Sequence, residues 1–245
     1  MTLTICAPVE PLRTRIKICG LTREEDVDAA AAEGADAIGF VLYPPSARYV
    51  SAARAAELAS RLPPFVTPVF LFVNASVIEI EAACACIVPA LLQFHGDETP
   101  EICLNAGRPY IRAARIPLNQ NPDSTHETFD LVKYTQDFQS AQAILLDAHV
   151  DGYGGGGKTF NWSLLPPNVN AHLVLSGGLT PANVGDGILQ VRSRGKSLAV
   201  DVSSGVEISK GIKSAKLIRQ FVAAVRAADA LIAKKDFDNV RVPTT

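Results

Sequence analysis

Short, nearly continuous apolar runs recur along this chain and alternate with stretches whose apolar residues fall every three or four positions. The runs are RIKIC (15–19), ADAIGFVL (35–42), FVTPVFLFV (65–73), ALLQF (90–94), PYIRAARI (109–116), AQAILLD (141–147), HLVLSGG (172–178) and SLAVDVSSG (197–205). Runs of this kind predict strands covered on both faces, as in a parallel sheet. The intervening stretches predict helices, and several carry boundary signals. REEDVDAAAAEG has acidic residues in its first turn and Gly34 at its end. Ser51 suits the N-cap of SAARAAELASRL, and Thr99-Pro100 gives TPEICLNAG a cap followed by proline. Further helical stretches are read at 76–86, 126–135, around Trp162, at TPANVGDGILQV and at 213–234.

Eight strands, each followed by a helical stretch in one pass, predict closure into a single (β/α)8 barrel, an α/β fold of the TIM-barrel type. The barrel is expected over residues 15–233. Residues 1–14 contain prolines that break any regular pattern and are expected to form a flexible leader. The polar stretch 234–245 is expected to be a frayed tail. No linker divides the chain, and 245 residues suit one such barrel.

Composition narrows the function. Apolar residues make up 48% of the chain, enough for a large core, and 23 basic against 25 acidic residues leave a net charge of −2. No strongly basic segment supports nucleic-acid binding. No apolar run approaches a transmembrane length, and the N-terminus lacks the basic start and apolar stretch of a secretory signal. The cysteines are Cys6, Cys19, Cys84, Cys86 and Cys103. Five is odd, and their spacing fits neither a disulfide nor a zinc framework, so a reduced, cytoplasmic protein is expected. Cys84 and Cys86 are two apart on a helix and do not face each other. With Cys103 they read as packing residues.

In a parallel barrel the carboxyl ends of all strands meet on one rim, where chemistry sits. The first strand ends in Cys19, on the same face as Arg15 and Lys17. A lysine two residues away can lower the thiol pKa and make the sulfur a usable base. The sixth strand ends in Asp147 after an aliphatic run, a placement suited to general acid work. The seventh ends in Ser176-Gly177-Gly178 and the eighth in Asp201 followed by Ser203-Ser204-Gly205. Small-residue loops at these two strands suit a phosphate held by backbone N–H groups. Arg48, in the loop after the second strand, reads as an exposed cation able to clamp a carboxylate. The glycine-rich segment 151–162 lacks Walker A spacing and reads as a mobile lid.

These pieces together resemble the phosphoribosylanthranilate isomerase family of tryptophan biosynthesis. KICGLT, GADAIGFVLYPPSARYV, QFHGDE, ILLDA, GGGGKTFNW, LVLSGGLTPANV and AVDVSSGVE run from residue 15 to about 207 in that family's order and spacing. The resemblance implies a cofactor-free Amadori rearrangement of N-(5-phosphoribosyl)anthranilate, an aminoaldose, to the 1-deoxyribulose phosphate. It is the third step from chorismate to tryptophan. It implies Asp147 as the general acid on the furanose ring oxygen and Cys19 as the base that removes the C2′ proton. It also implies Arg48 on the anthranilate carboxylate, Asp201 near the substrate amine, and the phosphate on Gly177, Gly178, Ser203, Ser204 and Gly205. The partner expected is this small molecule, with the chain a monomer or a homodimer. One rival is a metal-dependent sugar-phosphate epimerase using His95, Asp97, Asp147 and His149. A second is a non-catalytic sugar-phosphate sensor, which would need neither Cys19 nor Asp147. A third, an isomerase also acting in histidine biosynthesis, finds no second phosphate loop, since NAS after the third strand is a poor candidate.

Overall fold

The computed structural model describes residues 13–86, 91–118, 129–148 and 159–240. Eight parallel strands close into a barrel. They are β1 (Arg15–Cys19), β2 (Ala37–Val41), β3 (Thr67–Phe72), β4 (Leu91–Phe94), β5 (Tyr110–Ile116), β6 (Ala143–Ala148), β7 (Val169–Leu175) and β8 (Gly195–Val202). β8 pairs back onto β1, with Lys17 opposite Asp201. The surrounding helices are α1 (Glu24–Ala32), α2 (Ala52–Ala59), α3 (Val77–Cys86), α4 (Pro100–Asn105), α5 (Leu131–Asp137), α6 (Val184–Val191) and α7 (Ala215–Val240). The Ser51 and Thr99 hydroxyls cap α2 and α4 as their sequence positions predict, accepting from the Arg54 and Ile102 N–H groups.

Side chains alternate across each strand, and this alternation divides the core in two. One set, including Ile16, Ile18, Ile38, Phe40, Phe70, Phe94, Leu146 and Val200, packs with the helices in the main core. The opposite set fills the barrel. Ile111, Ala113, Leu145 and Val174 form one interior cluster, and Cys19, Val41, Leu71 and Val73 form another. Lys17, Gln93, Asp147, Ser176 and Asp201 share that inward parity and are all buried. The aliphatic interior thus fixes the floor on which the polar rim groups stand.

The structure departs from the sequence pattern at the edges. β7 ends at Leu175, so Ser176–Gly178 is loop, and α6 starts at Val184 after a turn. A small antiparallel pair, β9 (Glu207–Ser209) and β10 (Ile212–Lys213), follows β8. α7 continues to Val240, through part of the expected tail. Thr14 falls in the expected leader, yet it is buried, and its N–H and hydroxyl both donate to Asp229 of α7 at 3.1 Å and 2.5 Å. The expected lid residues 151–158, with His149, lie outside the described residues.

Candidate active site

Two adjacent strands build the first half of the site. Lys17 Nζ donates to Asp201 Oδ1 at 2.8 Å, and Ser176 Oγ donates to Asp201 Oδ2 at 3.2 Å. Cys19 is paired with Gly39 of β2. A Cβ on Gly39 would stand 2.6 Å from Cys19 Sγ and 3.1 Å from Lys17 Cε, so the missing side chain makes room for both. Burial pushes the Cys19 thiol above its ordinary value, and the neighbouring Lys17 charge pulls the other way without prevailing. Lys17 therefore acts in the direction expected from sequence, against the larger effect of burial. Burial by itself would lower the Lys17 ammonium, but the Asp201 charge and Cys19 outweigh it and hold it well above its ordinary value.

A second cluster joins the loop after β2 to the segment after β8. Arg48 is not the exposed cation its loop position suggests. Its side chain is largely covered and forks onto Glu207, with Nε to Oε1 and Nη2 to Oε2 both at 2.8 Å. Lys213 Nζ donates to Glu207 Oε1 at 2.7 Å and to the Ser203 carbonyl and hydroxyl at 3.1 and 3.2 Å. Burial would raise the Glu207 carboxyl, but Arg48 and Lys213 reverse this and hold it below its ordinary value. Burial lowers the Lys213 ammonium against the pull of Glu207. Sequence reasoning gave Glu207 and Lys213 no role. Glu207 does lie two residues beyond Gly205 of the SSG loop, which is the one local signal that could have marked it.

Asp147 anchors the other side of the rim. Its Oδ1 accepts from the Ala148 N–H at 2.9 Å, and its Oδ2 lies 3.0 Å from His95 Nε2. His95 Nδ1 lies 3.0 Å from Gln93 Nε2. Gly177 adopts φ = 75°, and a Cβ there would meet the Ala148 nitrogen at 2.6 Å and Asp147 Oδ1 at 2.7 Å. Only glycine lets the loop after β7 turn this closely over the acid. The loop carrying His95 is held by Glu98, which accepts from the Asn74 and Gly96 N–H groups and from Arg112 Nη1. Arg112 also donates to the Phe94 and Gly96 carbonyls.

Gly177 and Gly178 lie directly beyond β7, and Ser203, Ser204 and Gly205 directly beyond β8. Gly205 abuts the Leu179 carbonyl, so the two loops are neighbours. Asn183 Nδ2 donates to the Gly178 carbonyl at 3.0 Å and fixes the first loop. Asp97 is ion-paired with Arg115, and among the described residues no three His, Cys, Asp or Glu side chains are grouped to hold a metal ion.

A closed parallel barrel with a buried thiol and a buried carboxyl on one rim, beside paired small-residue loops, defines an enzyme of the acid–base class acting on an anionic small molecule. The comparisons narrow the class. The family model described as N-(5'phosphoribosyl)anthranilate (PRA) isomerase matches residues 16–224. An N-(5'-phosphoribosyl)anthranilate isomerase from Leptothrix cholodnii is 63% identical over 222 residues, covering 91% of this chain and 95% of that protein. Another from Methylibium petroleiphilum is 60% identical over 92% of this chain and all of that protein. The crystal structure of phosphoribosyl anthranilate isomerase from Thermotoga maritima superposes with a TM-score of 0.74 at 38% identity, covering 87% of this chain and 99% of that one. A further structure, at 35% identity and a TM-score of 0.71 over 87% of this chain and 99% of that one, holds reduced 1-(o-carboxyphenylamino)-1-deoxyribulose 5-phosphate. The chain belongs to the N-(5'-phosphoribosyl)anthranilate isomerase family.

Proposed function

We propose that this enzyme converts N-(5-phosphoribosyl)anthranilate to 1-(2-carboxyphenylamino)-1-deoxyribulose 5-phosphate in tryptophan biosynthesis, with Cys19 as base and Asp147 as acid. The observation that carries the reading is the placement of these two groups at the ends of β1 and β6 on a single rim. The substrate phosphate occupies the loops at Gly177–Gly178 and Ser203–Gly205, where backbone N–H groups meet an anion. Asp147 protonates the furanose ring oxygen, the bond from C1′ to that oxygen breaks, and a Schiff base forms. Cys19 as thiolate takes the C2′ proton, the C–H pair becomes the C1′–C2′ double bond, and the imine nitrogen is neutralised. The resulting enolamine tautomerises to the ketone.

Arg48 binds the anthranilate carboxylate while Glu207 holds the guanidinium in place. Asp201, fixed by Lys17 and Ser176, faces the substrate amine. Ring opening uses one acid and C2′ deprotonation one base on the chain, worth about 10²–10⁴-fold each. Free Cys19, Cys84, Cys86 and Cys103 support a reducing, cytoplasmic setting. The oligomeric state we infer is a monomer or a homodimer; one solved structure is of monomers generated from the dimeric Thermotoga maritima isomerase.

The test is the loss of anthranilate fluorescence from freshly made phosphoribosylanthranilate. Wild type should turn it over, and Cys19→Ser and Asp147→Asn should each lose about 10²–10⁴-fold in kcat. An inactive wild type, or variants as active as the parent, would sink the assignment.

A further inference from the structure

Beside Asp147, the buried polar side chains of Gln93 and His95 have no task in the mechanism so far. Gln93 stands on β4 with its side chain inside the barrel, and its one hydrogen bond among the described residues runs from Nε2 to His95 Nδ1 at 3.0 Å. Its carbonyl oxygen is buried with no partner there. An amide that served only to fill space would be better replaced by an apolar side chain of the same length, since a bare buried oxygen costs stability. The contact with His95 is what this group accomplishes.

The chemistry of that contact is directional. An amide nitrogen has only hydrogens to offer, so Nδ1 must present its lone pair. A neutral imidazole with a lone pair at Nδ1 carries its proton on Nε2, and Nε2 faces Asp147 Oδ2 at 3.0 Å. We propose that Gln93 and His95 are positioning residues for Asp147. Gln93 selects the tautomer of His95, and His95 directs its Nε2 proton to the carboxyl oxygen. The inference rests on Asp147 being the acid of the proposed function. An N–H in this place bonds the carboxyl oxygen before proton transfer and bonds it more strongly afterwards, when the oxygen is charged. The Ala148 N–H does the same at Oδ1. The imidazole therefore stabilises the conjugate base that forms as the sugar ring opens, an effect belonging to the transition state and not to substrate binding.

The ¹⁵N chemical shifts of the ring nitrogens in wild type test the tautomer directly, with His95 assigned by difference from His95→Gln. The expected result is a protonated Nε2 and a bare Nδ1. A protonated Nδ1, or an even mixture of tautomers, overturns the proposal. Gln93→Met should give that mixture, lower kcat about 10- to 100-fold with KM unchanged, and leave the thermal midpoint equal or higher. His95→Leu should show the same kinetic loss. His95→Gln, which can return an N–H toward Oδ2, should recover most of it. Equal losses in the Leu and Gln variants, or an unchanged kcat in Gln93→Met, would also overturn it. If Asp147→Asn remains active, the proposed function fails whatever the tautomer. If Asp147→Asn is inactive and the tautomer is wrong, only this inference fails.

Discussion

The smallest feature with a measurable effect is the absence of a side chain at Gly39. A methyl group there would press on Cys19 Sγ at 2.6 Å, and neither partner lies in a loop that could move aside. We expect Gly39→Ala to displace the sulfur and lower kcat by about 10²-fold, as misplacements near 1 Å do. A stopped-flow fluorescence assay would show it, and an unchanged kcat would mean that the sulfur position is not critical. At this scale the sequence was informative about direction and poor about partners. The rim placement of Cys19, Asp147 and Asp201 was legible because strand parity and strand ends set it. Glu207 was not, because its ion pair with Arg48 spans 159 residues and no local pattern encodes so distant a contact. The same distance explains why Arg48 looked exposed.

At the scale of elements, the loop after β4 depends on a buried ion pair. Arg112 and Glu98 are both nearly inaccessible, and the guanidinium also lies 4.9 Å from the Phe138 ring. Removing the cation leaves Glu98 charged, buried and uncompensated, so Arg112→Met should cost about 3–5 kcal/mol of stability. Urea unfolding monitored by circular dichroism measures this, and a loss below about 1 kcal/mol, the range of exposed pairs, would show that Glu98 is not stranded. The helices and strands themselves were largely readable, because an aliphatic run or a capped amphipathic stretch carries its own signal. The pair β9 and β10 escaped notice because strands of three and two residues are shorter than any periodic pattern. The extension of α7 to Val240 escaped because its apolar spacing fades while propagation of an existing helix remains cheap.

For the whole molecule, the barrel was legible from eight repeats and closes as parallel geometry requires. The closure itself depends on contacts between the two ends of the chain, and those are invisible to local pattern. The packed interior also sets an alkaline limit. Burial pushes the Cys103 thiol from an ordinary 9.0 up to about 12, and the Tyr134 phenol, which donates to the Ala113 carbonyl at 2.8 Å, from 10.0 up to about 12. Both groups hold their protons more tightly when folded. Their contribution is complete below pH 9.0, declines as the unfolded chain begins to ionise, and is gone once pH passes about 12. The urea midpoint should therefore fall between pH 9 and 12, and Tyr134→Phe should flatten part of that fall. A midpoint constant across this range would contradict the burial of both groups.

The ion pair between Lys17 and Asp201 ties the first strand to the last, and its members lie 184 residues apart. During synthesis at roughly 5–20 residues per second, the lysine leaves the ribosome on the order of ten seconds or more before the carboxylate that will neutralise it. Arg48 waits similarly for Glu207. A nascent chain therefore carries Lys17 and Arg48 before the carboxylates that pair with them in the closed barrel. The rim that carries Cys19 is therefore complete only once β8 has closed onto β1, so the order of synthesis delays assembly of the site until the barrel itself is shut.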